Sequence, residues 1–223
     1  VGTSDSTIGG DDTILMGDAL DLVFAGYGKD SVTANEGRNT VVGDNGQAVL
    51  NDSGFLTFLV ATNPTDGNDD VISTGDDVDV VIGGTGSDTI DVRENRNVVI
   101  GDNGEVTFDG AGQWLDVATT ATDVGGDDSI RSGNAVDLAF GGIGHDTIDL
   151  SNADNVAAGD NAAATFNSAG QILTVTTHSP QHAGQDTITT GSGNDVVFGG
   201  TDDDTIDVAN GQNVVAGDNA NAT

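Results

Sequence analysis

Aspartates at a regular spacing are the side chains in this sequence that could do chemistry. Between residues 69 and 126 they stand at Asp70, Asp79 and Asp88, nine residues apart, and Asn97 takes the next position. They keep fixed offsets from glycines and from Val or Ile, so the negative charge is placed rather than scattered. Hard cations prefer carboxylate and carbonyl oxygens as ligands. The spacing therefore favours binding of a cation.

The whole pattern returns with one fixed period, without insertion or deletion. GGTGSDTID at 83–91 returns as GGIGHDTID at 141–149 and as GGTDDDTID at 199–207, with the looser AGYGKDSVT at 25–33. The period is 58 residues, as from Asp30 to Asp88. A fixed period of this length predicts a repeat array instead of ordinary domains. The expected division is 1–10 as the tail of a preceding repeat, 11–68, 69–126 and 127–184 as three repeats, and 185–223 as a partial fourth. Neither end departs from the pattern, so we expect one continuous solenoid that is a window onto a longer array.

The composition restricts the possible partners. The chain has 37 acidic and five basic side chains and a net charge of −32, so it repels itself when no cation is bound. The same charge disfavours nucleic acid and anionic membrane surfaces as partners. No stretch has the length and apolar character of a membrane span, which argues against membrane insertion. The absence of cysteine fits an exterior protein that metal stabilises in place of disulfides.

The nine-residue unit GGxGxDxUx, present in full at Gly83 and Gly141, resembles the repeat of the RTX (hemolysin-type) calcium-binding family. The resemblance covers essentially the whole chain. It implies an all-β fold, a right-handed parallel β-solenoid (β-roll or β-helix) of tandem 58-residue repeats. It also implies that Ca²⁺ is the cofactor, with multiple ions per chain. Glycines let each turn point its carbonyls at one spot, and the Asp that follows adds a carboxylate.

In such a fold one turn supplies half of a calcium shell and the turn one coil away supplies the rest, which here implies ligand pairs two nonapeptides apart. In what we call the first turn row, the pairs are Asp12 with Asp30, Asp70 with Asp88, Asp128 with Asp146, and Asp186 with Asp204. In the second turn row, they are Asp21 with Asn39, Asp79 with Asn97, Asp137 with Asn155, and Asp195 with Asn213. The turn glycines expected to present carbonyls are Gly26, Gly28, Gly84, Gly86, Gly142, Gly144 and Gly200. Asn halves the carboxylates of the second row, a departure from the family pattern, so we expect weaker or partial binding there.

The GDN triplets leave two roles open. Their aspartates are Asp44, Asp102, Asp160 and Asp218. They add a carboxylate to the neighbouring calcium site, or they only form a turn. No nucleophile elbow, cysteine nucleophile or Walker loop is present, so the sequence predicts a protein that is not an enzyme.

The strands after the two turn rows differ in pattern. Those after the first row alternate, as in Thr89-Ile90-Asp91, whereas those after the second row are apolar on both faces, as in Val80-Val81-Ile82. An apolar run of this kind predicts a strand that is buried on both sides. Either a neighbouring chain or a folded-back part of the same copy would provide the cover. We expect lateral association through the strip formed by Leu22, Phe24, Val80, Ile82, Leu138, Phe140, Val196 and Phe198.

The final segment of each copy, such as 104–125, allows two interpretations. Phe108 and Val117 continue the nine-residue step, which predicts a third coil and an axial repeat of about 14 Å. The turn signals at 102–104 and 109–112 instead favour a hairpin. It would lie over the sheet formed by the strands after the second turn row, and the axial repeat would be about 10 Å. The third coil is the expectation, because the step holds in every copy that includes the segment.

The functional interpretation is a calcium-stabilised structural segment of an extracellular or cell-surface, secreted repeat protein: an adhesin, a surface layer, a biofilm matrix or a filament. Its expected partners are neighbouring copies of the same protein, end to end or side by side. The alternative is the RTX secretion and folding segment of a type I exported enzyme whose catalytic domain is absent. Ice binding ranks lower, because it needs a flat ladder of Thr, and the outward-facing positions of the strands after the first turn row mix Thr with Asp and Ser.

Overall fold

The computed structural model describes residues 1–182 and 184–223, and the regular structure in these ranges consists of β-strands. The strands are β1 (Thr13–Leu15), β2 (Leu22–Phe24), β3 (Ser31–Thr33), β4 (Thr40–Val42), β5 (Gly46–Leu50), β6 (Leu56–Ala61), β7 (Val71–Ser73), β8 (Val80–Ile82), β9 (Thr89–Asp91), β10 (Val98–Ile100), β11 (Gly104–Phe108), β12 (Trp114–Thr119), β13 (Ser129–Arg131), β14 (Leu138–Gly142), β15 (Thr147–Leu150), β16 (Val156–Asp160), β17 (Ala162–Phe166), β18 (Ile172–Thr177), β19 (Thr187–Thr190), β20 (Val196–Gly200), β21 (Thr205–Val208), β22 (Val214–Asp218) and β23 (Asn221–Ala222).

Three sheets make up the fold. Sheet one has the order β1-β3-β7-β9-β13-β15-β19-β21, and sheet two has the order β2-β4-β8-β10-β14-β16-β20-β22. Both are parallel, because each coil adds one strand to each sheet in the same direction. Sheet three is antiparallel and has the order β23-β18-β17-β12-β11-β6-β5. The predicted all-β fold with parallel strands in stacked sheets, as in a β-roll solenoid, is confirmed.

Each copy of the repeat contains two coils. Ile90 of β9 pairs with Ile72 of β7 in the same copy and with Ile130 of β13 in the next copy. Ile130 in turn pairs with Ile148, so equivalent residues of successive copies lie two strand spacings apart. That separation is about 10 Å. The prediction of a third coil in each copy was therefore wrong.

The segments expected to form a third coil form hairpins instead. The pairs β5–β6, β11–β12 and β17–β18 are antiparallel. In the β11–β12 turn, Asp109 Oδ1 accepts the N–H groups of Ala111 and Gln113 at 2.8 and 2.9 Å, and Gly112 has a φ of +80°. An Asx turn that ends in a left-handed glycine is a strong hairpin signal. The nine-residue step misled because cross-strand partners such as Thr107 and Asp116 also lie at that spacing.

Sheet two is the middle layer. Its residues Val81 and Val99 pack with Ile90 in the core shared with sheet one. Its other face packs against the hairpins, where Phe140 and Val117 belong to one buried cluster. The prediction that sheet two is buried on both faces was right for the inner strands β4, β8, β10, β14 and β16, which are buried at every position, whereas β22 is mostly exposed.

The cover over sheet two comes from the same chain. Of the strip expected to mediate lateral association, these residues are buried: Val80, Ile82, Leu138, Phe140 and Phe198. Leu22, Phe24 and Val196 are partly buried against the same cluster. The strip is therefore a poor surface for lateral association, which corrects that expectation. In the described ranges we find no helix with the length and hydropathy needed to traverse a bilayer.

Candidate calcium sites

The first turn row forms a continuous ladder of aspartates that leads into sheet one. The backbone N–H of Asp70 donates to Asp88 Oδ1 at 2.7 Å, and the N–H of Asp88 donates to Asp128 Oδ1 at 2.7 Å. The same bond joins Asp12 to Asp30, Asp30 to Asp70, Asp128 to Asp146, Asp146 to Asp186 and Asp186 to Asp204. The pairs predicted within each copy do lie side by side. Aspartates of successive copies stack in the same way, which the pairing from the sequence did not include.

The second oxygen of these carboxylates has no hydrogen-bond partner in the described part of the chain. This holds for Oδ2 of Asp30, Asp70, Asp88, Asp128, Asp146, Asp186 and Asp204, all of them buried atoms. A buried anionic oxygen without a donor is costly, so burial raises the pKa of Asp70 to about 8 and that of Asp88 to about 7. Each such turn therefore favours a proton or a cation beside the carboxylate.

Glycines leave the space where these oxygens converge. A Cβ atom added to Gly83 would lie 2.4 Å from Asp88 Oδ2 and 2.1 Å from the carbonyl oxygen of Gly101. At Gly141 the same atom would lie 2.2 Å from Asp146 Oδ2 and 2.3 Å from the carbonyl oxygen of Gly159. A carboxylate oxygen and carbonyl oxygens around a position that excludes side chains are a donor set that fits calcium.

The predicted turn glycines serve the turn itself. Positive φ angles occur at Gly26, Gly28, Gly84, Gly86, Gly142, Gly144 and Gly200. Sequence reasoning missed Gly83, Gly101, Gly141 and Gly159 as the residues beside the Oδ2 atoms. Their signal was present, because these copies keep the first glycine of the GG pair and the glycine of the GDN triplet in register.

The second turn row is satisfied differently at its asparagines. Asn97 Nδ2 donates to the carbonyl oxygens of Arg93 at 3.0 Å and Asn95 at 2.8 Å. Asn39 makes the equivalent pair of bonds, both at 2.8 Å, to Asn35 and Gly37. Nδ2 of Asn155 and of Asn213 donates to Ser151 and Ala209. The asparagine amide thus occupies turn carbonyls that an Asp cannot satisfy.

The aspartates of the second row alternate with these asparagines in a ladder of their own. Backbone N–H groups donate to side-chain Oδ1 from Asn39 to Asp79, Asp79 to Asn97, Asn97 to Asp137, Asp137 to Asn155, Asn155 to Asp195 and Asp195 to Asn213. This bond is missing at the first pair: the N–H of Thr40 donates to the carbonyl oxygen of Asp21 at 2.8 Å, and Asn39 Oδ1 has no hydrogen-bond partner among the described residues.

The second oxygens of the second-row aspartates are not all alike. The Thr190 hydroxyl donates to Asp195 Oδ2 at 2.9 Å. Asp79 and Asp137 have hydroxyls at the equivalent positions, Thr74 and Ser132, and each hydroxyl offsets part of the rise that burial causes in the pKa of its carboxyl. Oδ2 of Asp21 is buried without a hydrogen-bond partner among the described residues. The second row therefore closes every other turn with an amide and places a hydroxyl beside the carboxylates of Asp79, Asp137 and Asp195.

Comparison with known proteins agrees with this geometry. A family model for the RTX calcium-binding nonapeptide repeat matches four copies, at residues 17–50, 65–90, 73–108 and 182–215. The chain belongs to this family. No curated protein and no solved structure matches it.

RTX nonapeptide repeats bind calcium in general and are typical of secreted proteins, so the chain is a calcium-binding repeat segment. Among the described residues no point gathers three or more His, Asp, Glu or Cys side chains. RTX sites in this chain would accordingly depend on backbone carbonyls together with one or two carboxylates, as the surroundings of Gly83 and Gly141 indicate. Which residues are ligands stays a prediction.

The GDN aspartates join one copy to the next. Asp102 Oδ1 accepts the N–H of Gly126 at 2.9 Å, and Oδ2 accepts that of Ile143 at 2.5 Å. Asp160 and Asp44 accept the N–H groups of Thr201 and Thr85 in the same way, both at 2.5 Å. Burial raises the pKa of Asp44 and of Asp102 to about 8 and that of Asp160 to about 6. Neither sequence interpretation anticipated this connection between copies, and a ligand role for Asp44, Asp102, Asp160 and Asp218 stays a prediction.

Proposed function

We propose that this chain is a calcium-stabilised structural segment of an extracellular repeat protein, such as an adhesin, a surface layer, a biofilm matrix or a filament. The single observation that supports the proposal best is the uninterrupted stacking of all three sheets. Sheets one and two each run through eight strands, and the hairpin sheet passes from β6 directly to β11 and from β12 to β17. A stack that has no break between copies suits a rod that holds other parts of a protein at a distance.

Calcium supplies the positive charge that balances the acidic side chains of such a rod. The chain carries −32, and the buried first-row carboxylates have no cation of the protein beside their free oxygens in the described ranges. Asp70, Asp88, Asp128 and Asp146 would hold the ions, with carbonyls around Gly83 and Gly141. Bound Ca²⁺ neutralises the row and stabilises the folded state over the unfolded one, because the turns converge only in the folded chain. Extracellular calcium suffices for modular sites with dissociation constants of roughly 0.1–1 mM.

Neighbouring copies of the same protein are the partners we propose, end to end. Within the chain, β6 of one hairpin pairs with β11 of the next through Val60↔Glu105 and Leu59↔Val106. Gly2 pairs with Gln47 at the matching position of β5. A strand edge of this kind accepts a further hairpin by ordinary antiparallel pairing.

Labelling of the intact producing cell tests the proposal. Antibodies raised against the calcium-loaded chain should label the cell surface or the matrix between cells, and chelation should release or weaken the labelled material. Recovery of the antigen in the medium, on a chain that also has enzymatic activity, would instead support the secretion segment of a type I exported enzyme. That result would overturn the structural proposal while leaving calcium binding intact.

A further inference from the structure

Two of the five basic side chains lie together in one cleft. Arg38 and Arg96 take the same position in successive copies of the repeat. With Val78, Gln113 and Trp114 they line a cavity of about 130 Å³. We call it the arginine cleft. It lies where the second turn row faces the ends of the hairpins, because Arg38 and Arg96 belong to turns that lead into sheet two and Trp114 begins β12.

The two guanidinium groups are held by neutral groups. Arg96 lies over the ring of Trp114, with its guanidinium carbon 4.4 Å from the ring centroid, and 5.4 Å from that of Phe166. Arg38 donates a hydrogen bond to the carbonyl oxygen of Gly112 in the turn of the next hairpin. These contacts fix both side chains, yet a guanidinium has five N–H donors and most remain available.

Neither arginine is neutralised by the protein. Within the described residues no carboxylate oxygen lies within 4.0 Å of Arg38 or Arg96, although the chain has 37 acidic side chains. Burial lowers the pKa of Arg96, which shows that its charge is held at a cost. Placing two unpaired cations in one cleft of so acidic a chain is unexpected if they serve packing alone.

The neighbouring cleft shows that the fold does not require this chemistry. One copy earlier, the positions of Val78, Gln113 and Trp114 are held by Leu20, Phe55 and Leu56, and the corresponding cavity is about 70 Å³ and mainly apolar apart from Arg38. The hairpin and the turn row create the space in both places. The arginine cleft has two guanidinium groups and the amide of Gln113, whereas the polar side chains of the neighbouring cavity are Arg38 and Thr40.

We propose that the arginine cleft binds a small carboxylate. A guanidinium presents parallel N–H donors that match the two oxygens of a carboxylate, and such charge-assisted pairs are among the stronger hydrogen bonds. The volume admits a small organic acid, since a cavity of about 150 Å³ holds a benzene molecule. The carboxylate belongs either to a free acid or to a side chain of a second copy, and the experiment separates these sources.

Trp114 provides the measurement, because it is the only tryptophan in the chain and Arg96 lies on its ring. Sodium acetate is titrated into the calcium-loaded chain at constant ionic strength, with sodium chloride as the balancing salt. The expected result is a saturable change in tryptophan fluorescence. Arg38→Gln should weaken acetate binding at least about tenfold, because it removes one charged donor group without touching the tryptophan ring.

Matched variants keep the test decisive. Arg131→Gln removes the same charge from the exposed face of sheet one and should bind acetate like the parent chain. Circular dichroism in calcium checks that each variant is folded. If Arg38→Gln fails to fold, Arg38→Lys keeps the charge but loses the planar fork and should still bind several-fold more weakly.

Several outcomes would overturn the proposal: a response that does not saturate, equal binding by Arg38→Gln, or equal binding of sulfate at the same concentration, which would remove the preference for a carboxylate. Sedimentation velocity identifies the source. Oligomers that acetate dissociates would place the carboxylate on a second copy, whereas a monomer that binds acetate with saturation points to a free acid.

Discussion

The two turn rows of this solenoid differ by one atom at alternate positions, and that atom decides what each turn requires. Asp88 and Asn97 both accept a backbone N–H from the preceding coil through Oδ1, at 2.7 and 2.9 Å. The remaining atom of Asn97 is an amide nitrogen that satisfies two carbonyls of its own turn. The remaining atom of Asp88 is a buried oxygen without a partner among the described residues. Asn97 closes its turn with protein atoms, whereas Asp88 leaves a buried oxygen that a cation would satisfy.

The largest effect is expected from removal of calcium. A chelator should abolish most of the β-structure, because the first row then holds buried carboxylates side by side in a chain that already carries −32. Circular dichroism with and without chelator measures this, and restored calcium should restore the signal. A fully β-structured chain in chelator would show that the first row needs no cation.

An exchange of Asp and Asn tests the comparison directly. Asp88→Asn should retain the Oδ1 ladder but remove calcium from the site at Gly83, because a carboxylate is replaced by a neutral group. Asn97→Asp should do the reverse and make the second row more dependent on calcium. Calorimetric titration gives the number of ions and their affinities. Asn97→Ala is the control, and it should cost about 1–3 kcal/mol of stability without a loss of calcium.

A different result in that titration would be equally informative. If Asp88→Asn and Asn97→Ala lose the same amount of bound calcium, the two rows are equivalent as binding sites. The amide of Asn97 would then have to leave the carbonyls of Arg93 and Asn95 when the ion binds.

The sequence was sufficient for the parallel part of the fold and for the position of the turn rows. A nine-residue step with an inward Val or Ile admits few other structures, and the ladder through Asp70 and Asp88 follows from it. It was not sufficient for the hairpins, because antiparallel partners such as Thr165 and Thr174 repeat the nine-residue spacing. The role of the Asn97 amide was also hidden, since it depends on two carbonyls that converge only after the turn has formed.

The pH should act oppositely on the calcium-free and the calcium-loaded chain. Burial raises the pKa of Asp70 to about 8 and that of Asp88 and Asp186 to about 7, from 3.8. The calcium-free folded state thus binds more protons than the unfolded state, so its stability is full below about pH 4 and is lost as the pH rises through 7 to 8. Chain freed of calcium by dialysis should therefore gain β-structure on acidification from pH 8 to pH 4. Calcium affinity should fall over the same range, because the ligands must be deprotonated.

Circular dichroism measured against pH, with and without calcium, checks both expected changes: the gain of β-structure in the calcium-free chain and the loss of calcium affinity on acidification. A calcium-free chain that loses structure on acidification would contradict the assignment of the Asp70 and Asp88 carboxyls as the groups that oppose folding at neutral pH.

The smallest effect concerns a second-row carboxylate that accepts a hydrogen bond from a hydroxyl. Thr190→Val preserves the shape of a buried side chain but removes the donor to Asp195 Oδ2, which then resembles the free oxygen of Asp88. The expected loss is about 1 kcal/mol in the free energy of unfolding, and stability should depend more strongly on calcium than in the parent chain.

Thr187→Val is the matched control, because it lies on the exposed face of the same strand and should change stability by less than about 0.5 kcal/mol. Urea unfolding at low and high calcium distinguishes them. Equal behaviour of the two variants would mean that the Thr190 hydroxyl does not satisfy Asp195, and that the second row differs from the first through its asparagines alone.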